Sequence, residues 1–216
     1  RTNSTASAQQ QAQEGNYWDS FIELDFNYDK RNQKFQTNSG FRSFYSLDIP
    51  ILSDTNTLKN YYNYDHYFDF FENNFSSISF YFRAANSLNN KNIKLSERIN
   101  IPSNRLRGFE RGRVGPKDGD DFIGGNYAYS INFASNVPFL FEESQKLDFL
   151  IFADAADIWG VDYNSSIKGN GIRSSIGIAL DWMSPLGPMN FSLAYPITKE
   201  TGDKTESFRF NLGTSF

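Results

Sequence analysis

The sequence predicts an all-β fold of antiparallel strands arranged as a transmembrane β-barrel. Three observations predict it. Apolar and polar residues alternate with a period of two along much of the chain. The alternating segments run to roughly 9–12 residues each. Their charged side chains fall almost wholly on one face. Composition agrees, since 22 Phe, 12 Tyr and an aromatic content of 17% suit strands and are too high for disorder.

The first four alternating segments are 18–29, 40–50, 59–71 and 75–86. In the fifth, YAYSINF, Tyr127, Tyr129, Ile131 and Phe133 share one face, and Ala128, Ser130 and Asn132 share the other. Segment 145–155 is the sixth. The seventh, IRSSIGIALDW, sets Ile172, Ile176, Ile178, Leu180 and Trp182 opposite Arg173, Ser175, Gly177, Ala179 and Asp181. After 188–197 comes FRFNLGTSF, where Phe208, Phe210, Leu212 and Phe216 oppose Arg209, Asn211, Gly213 and Ser215. No segment reads as a helix.

Length and face chemistry bear on whether such strands meet water or lipid. Soluble strands average about 5–6 residues, and a tilted strand crossing a bilayer needs about 9–11. The polar face collects Glu23, Asp25, Arg42, Asp48, Asp65, Asp69, Arg83, Asp148, Asp154, Arg173, Asp181 and Arg209. A lipid-facing Arg or Lys at the midplane costs about 2–4 kcal/mol, so a barrel keeps charges off its outer face. A soluble β-sandwich with one wet face predicts the same alternation and stands as the alternative. Helical membrane spans are excluded, because no run approaches the roughly 20 apolar residues they need.

The joins between segments sharpen the reading. From the third onward, shorter joins (FENN, PFLFEESQK, SPLGP) alternate with longer ones (87–121, DIWGVDYNSSIKGNG, TKETGDKTE), as periplasmic turns and extracellular loops do in outer-membrane barrels. The first two joins do not discriminate. This orientation places the opening polar stretch outside and Phe216 in the periplasm. Residues 1–17 begin RTNSTASAQQQAQEGN, lack a secretory-signal pattern and read as the remnant of a polar loop. Nine antiparallel strands cannot close a ring with regular pairing, so further strands are expected upstream.

Enzymatic chemistry finds little footing. Without cysteine, thiol chemistry and thiolate metal sites are excluded. The single histidine, His66, falls on the aromatic face beside Tyr64 and Phe68, which suits an interfacial residue rather than a catalytic base. DGDD at Asp118–Asp121 lacks the ligand spacing of a calcium loop. GNGIRSSIG lacks phosphate-loop spacing, and Glu142 and Glu143 sit in an expected turn. A net charge of -4 gives no footprint for nucleic acid. The expectation is therefore no enzyme, no metal and no cofactor.

One stretch departs from the alternation. NRLRGFERGRVGPK, residues 104–117, packs five basic side chains among glycines and suits neither helix nor strand. On its residues alone it is a loop whose Arg105, Arg107, Arg111 and Arg113 are solvated. RGF at Arg107–Phe109, VGPK, DDFIGGN at 120–126, FADAADIW, the run from Ile172 to Ile197 with its WMSPLGP, and the closing GDKTESFRFNLGTSF together carry a resemblance. The chain resembles the C-terminal half of barrels in the bacterial surface antigen superfamily, weakly along its length and strongly over 105–216. WMSPLGP and the aromatic last strand are specific. RGF alone is shared with two-partner secretion transporters and TamA-like proteins.

The resemblance implies the C-terminal portion of a bacterial outer-membrane barrel, about nine strands of an expected sixteen, occupying residues 18–216 with POTRA domains upstream. It implies an assembly factor that folds and inserts β-barrel proteins, with unfolded outer-membrane proteins, accessory lipoproteins and the lipid bilayer as partners. A TamA-like or two-partner secretion barrel is the related alternative. In such barrels the long extracellular loop, 87–121 here, folds back into the lumen, where its arginine meets acids on the inner strand faces. Alternation makes Asp154 an inward residue at the family's acidic position, so Arg107 and Asp154 are expected to touch. Gly108 supplies backbone freedom and Phe109 packs within the loop. A second family acid is replaced by Asn132 or Ala134, and IPSN stands where a glycine pair usually precedes RGF. The loop is therefore expected to be held more weakly or by other partners. The last strand, with Phe208, Phe210, Gly213 and Phe216, forms one side of a lateral seam with the first. A glycine inside it costs roughly 0.5–1 kcal/mol relative to alanine, and the weakened edge offers unpaired backbone groups to which a client strand adds; a glycine that merely relieves crowding is the equal alternative.

Overall fold

The structure, a computed structural model, describes residues 11–34, 37–140, 146–167, 169, 171–185 and 187–213. The chain begins with β1 (Asp19–Asp29), β2 (Gly40–Ser53), β3 (Thr57–Phe68) and β4 (Ser76–Ser87). A long connection follows, carrying a small hairpin of β5 (Lys117–Asp118) and β6 (Asp121–Phe122). The chain then resumes with β7 (Tyr127–Asn136), β8 (Leu147–Trp159), β9 (Arg173–Ser184), β10 (Gly187–Thr198) and β11 (Phe208–Leu212). Leaving the hairpin aside, the other nine strands form one antiparallel meander in sequence order. The strand count and all nine locations match the alternating segments.

The ends of the sheet differ as a membrane barrel requires, with one exception. Along the chain the connections 69–75, 137–146 and 185–186 at one end are each followed by a longer one at the other, 88–126, 160–172 and 199–207. The first pair reverses this, with 30–39 against the tight 54–56.

Packing separates the two faces. Ile131, Ile176, Ile178, Leu193, Tyr195, Phe208 and Phe210 point away from the loop and stay exposed. The buried cluster lies on the opposite face. There Ala85, Ala128, Ala156 and Ile158 from the strands meet Ile93, Ile99, Ile101, Leu106, Phe109 and Val114 of the long connection. A soluble sandwich would bury its aromatic ridge against a second sheet. The only other sheet among the described residues is the β5–β6 hairpin, so the sandwich alternative is overturned. His66 is exposed and stacks between Tyr64 and Phe68 on the ridge, where alternation put it.

Boundaries shifted where tertiary contacts outweigh pattern. β8 runs on to Trp159, because Ala156 and Ile158 have an apolar loop to face instead of water. β3 stops at Phe68, since the Asn74 side chain accepts the Phe70 N–H at 3.0 Å and starts a turn. The expectation of Gly213 inside the last strand needs correction. β11 ends at Leu212, and Gly213 lies beyond it at φ +74°, a left-handed conformation that terminates the strand. Phe216, Glu142 and Glu143 lie outside the described residues. The β10–β11 ladder also stops short: Ala194 N–H donates to the Ser207 carbonyl at 2.8 Å, and the next residue facing the same way is Pro196, which has no N–H.

Nitroxide labels replacing Ile178 and Phe210 in the lipid-embedded protein will be relaxed by oxygen dissolved in lipid and shielded from a water-soluble nickel chelate. Equal access by the chelate would contradict an outward lipid face.

Candidate functional site

Register builds the floor of the site. Across β7 and β8 Asn132 faces Asp154, and across β8 and β9 Asp154 faces Ser175. Because alternate side chains share a face, these three form one polar row on the inner wall. The long connection descends onto that row and aligns Arg107 with it.

The Arg107 guanidinium grips Asp154 in a fork, with Nε on Oδ2 and Nη2 on Oδ1, both at 2.7 Å. Its backbone N–H adds a third bond to Oδ2 at 3.0 Å. Asn132 Nδ2 supplies a fourth donor, 2.8 Å from Oδ1, and also donates to the Arg105 carbonyl at 2.8 Å. Ser175 Oγ donates to the Arg107 carbonyl at 2.5 Å. The Phe152 ring lies 3.5 Å from the guanidinium carbon, a stacked cation–π contact. The Asp154 side chain is 0% exposed and that of Arg107 16%, so the pair is largely desolvated, and the carboxylate accepts four hydrogen bonds. The structure thus brings Arg107 and Asp154 together. It also answers the departure at Asn132: the amide that stands for the second acid joins the clasp as a donor.

Gly108 follows with φ +88°, and a Cβ there would come within 3.2 Å of the Ala194 Cβ. Only glycine lets the loop backbone lie this close to β10. Phe109 is buried in the apolar cluster and bridges Thr205 through its backbone. Of the last-strand residues, Phe208 and Phe210 point outward, and Phe210 stacks on Phe191 at 4.9 Å. They do not contact the Arg107 clasp.

Sequence reasoning gave no role to several other arginines that fasten the connection. Arg98, with a side chain 0% exposed, pairs with Asp162 and donates to Asn126 Oδ1 at 2.8 Å and to the carbonyls of Ile93 and Gly160. Arg173 pairs with Asp203 at 2.9 Å, donates to Asp157 and also serves the carbonyls of Gly169 and Gly171. Arg105 donates to Asn63 Oδ1 at 2.5 Å and sits over the Tyr81 ring. Arg209 holds the Ser103 and Phe109 carbonyls. Arg98, Arg173 and Arg209 cap loop carbonyls that no ladder partner meets, and Arg105 ties the loop to β3. The signal for Arg98 was present: a lone guanidinium in the isoleucine-rich IKLSERINI. At the outer end of the connection Tyr163 donates to Asp118 at 3.0 Å. Burial, with that bond adding to it, pushes the Tyr163 hydroxyl up to about 12. Among the described residues no cluster of His, Cys, Asp or Glu could hold a metal.

A sheet with an apolar outer face and an inner face filled by its own loop defines a membrane-barrel wall. The chain belongs to the Omp85 superfamily, whose domain matches residues 1–216. It is 35% identical over 140 residues to the outer membrane protein assembly factor BamA of Neisseria meningitidis serogroup B, covering 51% of this chain and 17% of the relative. It is 29% identical over 151 residues to a SAM50-like protein of Schizosaccharomyces pombe, covering 65% of this chain and 31% of the relative. A crystal structure of BamA from Haemophilus ducreyi lacking POTRA domains 1–3 superposes with a TM-score of 0.79 at 25% identity, over 87% of this chain and 41% of that one. The chain therefore spans less than a third of the length of these curated relatives.

Replacing one partner of the desolvated clasp strands the other. Arg107→Ala and Asp154→Ala will each destabilise the folded protein by about 3–5 kcal/mol, and the double variant by less than their sum. Urea titration of the lipid-embedded protein, read by gel mobility without heating, measures both. Strict additivity would show that the two side chains act independently.

Proposed function

We propose that this chain is the C-terminal part of the barrel of an outer-membrane protein assembly factor, residing in the bacterial outer membrane, that folds and inserts β-barrel proteins. The observation that carries the reading is the Arg107–Asp154 clasp, which seats an RGF loop inside a barrel wall similar to that of BamA. A pore that conducts a folded or unfolded chain through its lumen needs the lumen open. Here the inner face of β4 and β7–β9 is covered by an apolar-backed loop fixed by several ion pairs. The lateral edge is the route this reading assigns to the client.

On this reading the unfolded client adds a strand to the backbone edge of the barrel's last strand. β11 has a neighbour on one side only among the described residues, and its short ladder to β10 reaches from Met189–Leu212 to Leu193–Phe208. The driving force is the client's own backbone pairing and apolar burial in lipid, so the process requires neither nucleotide nor cofactor nor enzymatic chemistry. Residues 88–126 form the extracellular loop, POTRA domains lie upstream, and accessory lipoproteins assist from the periplasm.

The test uses the full-length protein in phospholipid vesicles. It will speed the folding of an unfolded outer-membrane barrel by about tenfold or more without added nucleotide, and Arg107→Ala will reduce that gain. No acceleration, combined with export of a dedicated secreted polypeptide, would favour a two-partner secretion pore instead.

A further inference from the structure

The segment between β10 and β11 does not stay in the sheet. After β10 the chain turns inward and lies along the RGF loop as a short backbone ladder. Glu206 N–H donates to the Gly108 carbonyl, Glu110 N–H to Lys204, and Lys204 N–H to Arg113, each at 3.0 Å. The chain re-enters the sheet only at Phe208, which makes β11 five residues long beside a β10 of twelve. One charged side chain projects from β11, and it points to the same loop. Arg209 Nη1 donates to the Ser103 carbonyl at 2.7 Å and Nη2 to the Phe109 carbonyl at 2.6 Å, while Nε bonds Glu206 Oε2 at 2.9 Å. Its side chain is largely buried, and its fork holds the loop at Ser103, ahead of RGF, and at Phe109, the last residue of RGF.

We propose that Arg209 is a positioning residue that latches the last strand to the RGF loop, so that the seating of the loop on Asp154 sets where β11 stands. The chain of contacts is continuous. Asp154 holds Arg107, the Arg107 segment carries the Phe109 carbonyl, and that carbonyl holds Arg209 in β11. A guanidinium suits this task because two donors in one plane fix an orientation, where a single ammonium would fix only a distance. The outward neighbours Phe208 and Phe210 have no part in it, so the latch acts from the lumen side while lipid contacts stay unchanged. Its consequence for client insertion rests on the assembly reading above; the coupling itself does not.

Spin labels at Ile178→Cys on β9 and Phe208→Cys on β11 of the full-length protein in lipid, both outward, report how firmly β11 is held. The distance distribution will be narrow in the parent. It will widen about twofold in Arg209→Ala and Arg107→Ala, with Arg209→Lys between parent and Arg209→Ala. The double variant Arg107→Ala/Arg209→Ala will be no wider than Arg209→Ala, because Arg209 is the loop's grip on β11 itself, while the backbone ladder holds Lys204 and Glu206 of the turn before it. A merely stabilising arginine would leave the width unchanged in folded protein, and independent effects would add in the double variant; either result overturns the latch. Client-folding rates on the same variants form a separate arm. If the parent fails to speed client folding while widths change as stated, the latch stands and the assembly reading fails; if widths do not change, the latch is wrong.

Discussion

A carboxylate with no exposed surface must find hydrogen-bond donors within the protein, and the architecture converges on meeting that demand at Asp154. Four donors reach it: three from Arg107 and one from Asn132. To deliver them, the connection between β4 and β7 has to descend from the rim to mid-sheet, which brings Leu106, Phe109 and Val114 against Ala128, Ala156 and Ile158. The clasp therefore organises the apolar cluster. Isolated, such an ion pair adds little net stability, because desolvation offsets attraction. Its value here lies in register: one geometry satisfies the fork, and that geometry places the whole loop.

The other arginines follow the same logic at lower stakes. A loop buried in a lumen has backbone carbonyls that no ladder partner meets. Arg98, Arg173 and Arg209 fill that role, each bonding at least two carbonyls as well as an acid. This explains why a net-acidic chain keeps so many guanidinium groups in and around one segment. They substitute for the water and the neighbouring strands that an ordinary surface loop or an ordinary strand would use. The lumen side becomes a polar core with an apolar lining, while the ridge of Ile176, Ile178 and Tyr195 is left to lipid.

The sheet was legible in the sequence because alternation and strand length are local properties, and each strand of a meander pairs with its sequence neighbours. The place of Arg107 was not local. On its residues alone 104–117 reads as a solvated loop, and only the resemblance of RGF and WMSPLGP to known barrels pointed it toward Asp154. Asn132 looked like a loss because an amide cannot carry the charge of an acid; in three dimensions its donor group meets the same carboxylate from the side. Gly213 was misjudged by a purely local rule, since whether a glycine weakens a strand or ends it depends on the φ it adopts, here +74°. The strand continuation at Ala156 and Ile158 breaks the inward-polar pattern for a reason invisible in the pattern itself: the loop supplies an apolar surface there. Ion pairs between distant segments, such as Arg173 with Asp203 and Arg98 with Asp162, leave no trace in spacing.

Pro196 has a further effect on which partners the wall accepts. The last third of β10, beyond Ala194, is not covered by the last strand, and an uncovered strand margin ordinarily invites a stray polypeptide to dock. With a pyrrolidine ring at the first free site, an incoming chain is refused its opening bond, and the site offers no foothold for aggregation. Two neighbouring margins of the same wall thereby receive opposite instructions, and a guest arriving from either side is directed away from β10.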